Sequence, residues 1–267
     1  MPREPARSVI ARLARPAEGG IITLDAAARA LQKDRRATSR RLGALVRSGW
    51  LSRVQRGVYA IRPLEARPGI AIAEEDPWIV ASRVFAPCYI AGWTAAGHWE
   101  LTEQLFRSTF VATGRPVRRS DVVVGSSAFH LARRSRAGGA GLTTVWRGRA
   151  RVSVSGVERT LVEAFVNPSW VGGVRHLTDI YRAAIADSRL DPAKLIRELR
   201  RGATGAALGR LGLLCERYWP TASRVLRYAR VHRGSGYVRL DPAVTPRGRL
   251  VRRWGVWVNV TLPANGQ

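Results

Sequence analysis

The sequence predicts an α+β protein, with a winged helix-turn-helix over residues 1–63 and a larger mixed α/β region over 64–267. Three observations carry that prediction. Two amphipathic helical runs joined by a three-residue turn, and followed at once by two strand-like runs about a Gly turn, are the parts of a winged helix. Downstream, apolar runs of strand length alternate with runs of helical period, and two Asp-Pro pairs mark helix starts. Hydrophobic residues make up 46% of the 267, enough to build a core rather than leave a disordered chain.

The elements follow in order. Residues 6–15 form a first helix with Val9, Ile10 and Leu13 on one face. Ala17 to Gly20 breaks it, and Ile21-Ile22 adds a short strand. Thr23 caps a helix over Leu24–Leu31, and Gln32-Lys33-Asp34 turns the chain into a second helix, 35–48, that stops at Gly49. Strands Leu51–Gln55 and Val58–Ile61 flank a tight Arg56-Gly57 turn. The wing ends near Arg62-Pro63, and the prolines and acids of 63–76 read as a linker. Asp76-Pro77 starts the next helix, with Trp78, Val80, Ala81 and Val84 as its apolar positions. A buried segment at 88–93 and a helix at 94–99 follow. Strands are predicted at 106–113, 122–124, 129–133, 143–146 and 152–154. Ser155-Gly156 opens a helix at Val157, Gly172-Gly173 opens Val174–Ala186, and Asp191-Pro192 opens 193–201. A helix at 206–218 precedes paired strands at 237–240 and 254–260.

Net charge is +26, from 45 Lys and Arg against 19 Asp and Glu. The surplus is uneven, with 14 basic and 4 acidic residues in 1–63 and 16 and 5 in 187–267. A basic head and tail around a more balanced middle call for a polyanionic partner. No apolar run approaches 18 residues, so no membrane association is expected. No apolar leader follows Met1-Pro2-Arg3-Glu4, and Cys88 and Cys215 stand far apart. A cytoplasmic protein with reduced, buried thiols is expected.

The second helix of the wing shows where the polyanion would sit. At 100° per residue, Arg36, Arg40, Gly43 and Arg47 fall within about 60° of one another, with Thr38, Leu42, Leu45 and Val46 opposite. No acid lies between Arg35 and Ala73 except Glu65. A merely solvated helix would mix Glu with Arg for i,i+4 pairing. Arg36, Ser39, Arg40 and Arg47 are therefore the candidate base-edge contacts. Arg35 and Arg41 are candidate phosphate contacts, and Arg53, Gln55 and Arg56 would carry the wing onto adjacent backbone.

Catalytic chemistry is not in view. His98, His130, His176 and His232 stand alone, with no HxxxH or CxxC to hold a metal. There is no GxxxxGK[ST] and no GxGxxG. Neither Lys33 nor Lys194 follows a Glu by two residues, which argues against the restriction-type nucleases. No GxSxG elbow is present. The expectation is a protein that is not an enzyme, with no catalytic residues, metal or cofactor. Gly138-Gly139-Ala140-Gly141 reads as a flexible loop.

Several collinear blocks resemble the AbiEi family of antitoxins from bacterial type IV toxin–antitoxin systems. They are the winged front, Glu75-Asp76-Pro77-Trp78-Ile79-Val80-Ala81-Ser82-Arg83, Cys88-Tyr89-Ile90-Ala91-Gly92-Trp93-Thr94-Ala95-Ala96, His98-Trp99-Glu100-Leu101-Thr102-Glu103-Gln104, and Val154-Ser155-Gly156-Val157-Glu158-Arg159-Thr160-Leu161-Val162-Glu163 with Gly172-Gly173. Val157 stands where the family pattern often has Pro. The resemblance implies a winged domain that binds inverted repeats in its own promoter and represses the operon, and it allows a dimer on the DNA. It makes 64–267 a mixed α/β antitoxin domain with a basic C-terminal part, whose functional partner is a nucleotidyltransferase toxin.

Read by themselves, Ser155 and Glu158 form a capping box, and Arg159 pairs with an internal acid such as Asp179 or Glu163. Trp93, His98 and Trp99 read as packing residues. Two other functions stay open on the residues alone. One is a winged-helix repressor whose large domain answers to a small molecule. The other is an RNA-binding module using Tyr228, Tyr237, Trp254 and Trp257, although those aromatics read first as closing a β core. The basic run Arg197, Arg200, Arg201, Arg210, Arg217, Arg224, Arg227, Arg230 and Arg233 would lengthen a DNA footprint or face an acidic toxin or a tRNA.

Overall fold

A computed structural model describes residues 5–17, 19–61, 76–135, 137–245 and 248–264. The chain runs α1 (Ala6–Ala14), β1 (Ile21–Thr23), α2 (Leu24–Leu31), α3 (Arg35–Arg47), β2 (Leu51–Gln55), β3 (Val58–Ile61), α4 (Pro77–Val84), β4 (Cys88–Ile90), α5 (Gly92–His98), β5 (Thr109–Thr113), β6 (Asp121–Val124), β7 (Ser127–Arg133), β8 (Leu142–Arg147), β9 (Ala150–Ser155), α6 (Val157–Val166), a 3-10 turn (Pro168–Val171), α7 (Val174–Ala186), α8 (Pro192–Gly202), α9 (Gly205–Tyr218), α10 (Ser223–His232), β10 (Val238–Arg239), β11 (Arg249–Val251) and β12 (Val256–Val258). The fold is α+β, a winged helix-turn-helix followed by a larger mixed region. Among the described residues no helix is long and apolar enough to cross a membrane.

The chain divides into two compact units. The first takes in 1–89, 107–138 and 144–153, and the second 90–106, 139–143 and 154–267. The expected boundary at 63/64 and the linker at 63–76 lie almost wholly outside the described residues, which resume at Asp76.

In the first unit, the winged segment forms an antiparallel sheet of order β1-β3-β2 under three helices. Ile21 faces Ala60, and Leu51 faces Ile61. Local chemistry sets each boundary. Thr23 Oγ1 accepts the Ala26 N–H at 3.2 Å and caps α2. Gln32 ends α2 in the left-handed region, at φ 54°. Asp34 Oδ1 accepts the Ala37 N–H at 2.8 Å and starts α3. Leu42 and Leu45 of α3 enter one core with Val9, Ile10, Leu13, Ile22, Ala27, Leu31, Leu51 and Tyr59. Burying one such side chain contributes about 1.5–3 kcal/mol, so the apolar face of α3 fixes which face remains outside.

Beyond the wing, Asp76 caps α4 through the Trp78 N–H, 2.8 Å, with Pro77 in the first helical position. Parallel β5 and β7 pair in register from Thr109↔Phe129 to Thr113↔Arg133, and β6 adds antiparallel to β7. The predicted strand at 106–113 begins only at Thr109, because Phe106 stacks on Trp93 instead, 4.8 Å and 11°.

The second unit buries a helical core from α6, α7, α8, α9 and α10, with Phe165, Tyr181, Leu211, Leu214 and Trp254 inside. Gly212 lets α9 meet the Trp254 ring, since a Cβ there would overlap it. Three sequence expectations are corrected here. Ser155 does not cap α6. Its hydroxyl bonds Thr160 Oγ1 at 2.7 Å, Gly156 takes the cap position, and Glu158 Oε1 accepts the Asp191 N–H at 3.3 Å. The Gly138–Gly141 loop is anchored rather than slack at its end, with Gly156 N–H donating to Gly141 O and Arg159 to Ala140 O. The closing sheet has three strands rather than a pair, order β10-β12-β11, because Arg249–Val251, between the two expected strands, supplies β11.

Candidate nucleic-acid interface

The sequence-predicted residues of α3 separate by exposure as the wheel requires. Arg36, Ser39, Arg40 and Arg47 are exposed, while Thr38, Leu42 and Leu45 are buried. Gly43 sits between Arg40 and Arg47, and a Cβ placed on it would meet only Arg47 Nη1, at 3.8 Å. Arg47 thus folds back along the helix over the gap that the glycine leaves. The Asp34 carboxyl lies below its usual range, chiefly because it accepts the Ala37 N–H, with the Arg40 charge adding to the effect.

The two proposed phosphate contacts differ from the wheel picture. Arg35 forms an ion pair with Asp25 of α2, both well exposed. Its charge is partly answered before any ligand arrives, although an exposed pair of this kind is worth little and exchanges easily. Arg41 is half-buried and has a partner within the protein.

On the wing, Arg53 and Arg56 are exposed and Gln55 is half-buried. The β2–β3 register slips between Arg53 and Gln55, and Val54 between them is buried. Such a bulge re-aims its neighbours. The wing tip is short and tied down. Gly57 holds φ 80°, and its carbonyl accepts the Leu24 N–H at 2.8 Å. Only glycine takes that turn without strain. The tip therefore presents Arg56 from a fixed hairpin rather than a mobile loop.

This is a helix-turn-helix whose second helix offers arginines outward beside a rigid hairpin. Residues 10–62 match the family described as transcriptional regulator, AbiEi antitoxin. The AbiEi match begins within α1 and ends one residue past β3, so it covers the winged core and every residue of the interface. A crystal structure titled RV2827C protein from Mycobacterium tuberculosis shares the fold, with a TM-score of 0.61 and 20% identity over 95% of this chain and 92% of that one. No curated protein matches the sequence.

Residues outside the AbiEi match take structural roles more often than the sequence suggested. The basic run divides. Arg210 is buried, donating to Phe165 O, Arg239 O and Leu240 O, and desolvation lowers its pKa. Arg201 pairs with Glu198, and Arg217 donates to Pro263 O. Arg197, Arg200, Arg224, Arg227 and Arg230 remain exposed on α8 and α10. Arg159 pairs with Glu163 at 3.1 Å, both buried, which settles its partner in favour of Glu163 over Asp179. Trp99 donates to Ser155 O at 2.7 Å, and His98 packs on its ring. His176 donates from Nδ1 to Val171 O, which leaves Nε2 to accept from Thr102. Among the described residues, no three His, Cys, Asp or Glu side chains gather as a metal site. Cys88 and Cys215 are held as thiols, pushed up to about 12 and about 11 by burial.

Proposed function

We propose that the chain is a DNA-binding antitoxin that represses its own operon and counteracts a nucleotidyltransferase toxin. One observation carries the reading: the AbiEi match falls on a winged helix whose α3 turns Arg36, Ser39, Arg40 and Arg47 outward. In this reading α3 enters the major groove of inverted repeats in the promoter, and Arg53, Gln55 and Arg56 hold the wing on adjacent backbone. Arg35 and Arg41 steady the docking on phosphates. Two copies on one operator would match the symmetry of an inverted repeat. The protein has no catalytic role of its own, and the mixed α/β part supplies the antitoxin activity.

The test is a reporter fused to the chain's own promoter, together with co-expression of a neighbouring nucleotidyltransferase gene. The wild-type protein silences the reporter and restores growth. Arg40→Ala releases the reporter and still restores growth, because α3 is not the antitoxin surface. In purified form the same variant binds operator about 1–3 kcal/mol more weakly and discriminates less at one base pair. A reporter that ignores the wild-type protein removes the repressor half, and growth arrest despite the protein removes the antitoxin half.

A further inference from the structure

Among the described residues, the C-terminal sheet turns one face toward the helical core, and the residues on its other face do not join that core. Val238, Val251, Val256 and Val258 belong to the helical core or pack against it. Alternation along a strand sends the residues between them to the opposite face. That face carries Tyr237 and Arg239 on the β10 side, Trp257 on β12 and Leu250 on β11. The register agrees, since Arg239 lies beside Trp257 in the parallel pair and Leu250 beside Trp257 in the antiparallel one. Tyr237 is 61% exposed, and Trp257 is half-buried without joining the core. Trp254, by contrast, is buried. Tyr237, Arg239, Thr245 and Trp257 together line an open groove of about 690 Å³.

The groove is held in shape. Arg239 Nη1 donates to Val244 O at 3.2 Å. Asn259 Nδ2 donates to Asp241 O and to Val244 O, each at 2.8 Å, and Asn259 Oδ1 accepts the Asp241 N–H at 2.9 Å. The wall that positions Arg239 is therefore fixed before a ligand arrives. Charge favours an anion. From Arg217 to Gln267 the sequence has one acid, Asp241. Its carboxylate is committed to the Val174 and Ala243 N–H groups, at 3.1 and 2.9 Å.

We infer that this face binds a single-stranded polynucleotide, with bases stacked on Tyr237 and Trp257 and Arg239 on the phosphate between them. Aromatic faces in an open, cationic groove suit unpaired bases, whose own faces are exposed. A duplex keeps its base faces stacked inside and cannot use them. The site is separate in sequence and chemistry from the α3 arginines, which need no aromatic partner.

The test uses the full-length protein and fluorescence anisotropy with labelled oligouridylate, oligothymidylate and a mixed-sequence duplex. Tyr237→Ala and Trp257→Ala should each weaken single-strand binding roughly fivefold to 100-fold and leave duplex binding within about twofold. Tighter binding of oligouridylate than of oligothymidylate identifies RNA as the occupant, and the reverse identifies single-stranded DNA. Unchanged single-strand affinity in both variants overturns the inference, as does a loss that duplex binding shares. Should either variant fail to fold, photo-cross-linking of a 4-thiouridine oligonucleotide to the unaltered protein decides. Adducts on the peptides holding Tyr237 or Trp257 support the site, and adducts confined to α3 overturn it.

Discussion

Gly43→Ala separates the stability of α3 from its use. Glycine in a helix interior costs about 0.8–1.0 kcal/mol relative to alanine. Gly43 lies within α3, four residues short of its end, with helical neighbours on both sides. The added methyl would meet nothing but Arg47 Nη1 at 3.8 Å, an ordinary contact with the end of a flexible side chain. No steric term opposes the propensity gain. The variant should therefore be more stable by about 0.8–1.0 kcal/mol, a rise of roughly 2–4 °C in Tm for a chain of this size. On DNA the sign reverses. The methyl stands between Arg40 and Arg47, on the line along which the duplex must approach, and takes up the space that the glycine leaves open there. A loss of about 1–3 kcal/mol in operator binding, the worth of one good base contact, is expected. Differential scanning calorimetry and operator titration on one preparation read both quantities. Higher Tm with undiminished affinity would refute close approach at Gly43. Lower Tm would refute the packing described for α3.

Other consequences follow from the same geometry. Arg159→Ala leaves Glu163 as a buried charge stripped of its i,i+4 partner and should destabilise the second unit by about 3–5 kcal/mol in urea unfolding; a change under about 1 kcal/mol would mean the pair is not buried in solution. The Asp34 carboxyl is depressed in the folded state, so its stabilising contribution is fully present above its unfolded value of 3.8 and is lost as pH falls through the lower folded value. Asp34→Asn should narrow its Tm gap to the wild type across that acid range, and a gap independent of pH would contradict the cap. With thiols raised to about 12 and about 11, half-buried Cys88 and buried Cys215 should resist alkylation at pH 8 in the native protein and react at once in denaturant; rapid native labelling of either would show that its thiol is not held in this way.

Where local chemistry decided the structure, the sequence displayed it. The Asp76-Pro77 and Asp191-Pro192 starts, the Thr23 cap and both strands of the wing lie where short-range rules put them. The α3 wheel also held, because Leu42 and Leu45 leave the helix one way to dock. The failures arise where distant segments compete. Ser155 looks like a cap, but a buried Thr160 hydroxyl and Ile90 O claim its side chain. Helix α10 leaves little mark in the sequence because it buries only Val225 and Ala229, too little to mark a period against four charged or imidazole side chains. Strand β11 is three residues set among arginines. Of the interface, exposure along α3 was legible, whereas the Arg35–Asp25 pair required the docking of α2 on α3. Trp254 and Trp257 read alike in sequence. Only the turn before β12 makes one a core residue and the other a wall of an open groove.

The central claim is that α3 reads a specific duplex. Fluorescence anisotropy of the purified protein on DNA from its own upstream region, against a scrambled duplex across a salt series, tests it most directly. Specific reading by α3 predicts an upstream affinity greater by roughly 10³-fold or more at physiological salt, with Arg40→Ala removing most of that margin. Equal affinities with the same steep salt slope would contradict it, since the charge would then be a general polyanion footprint.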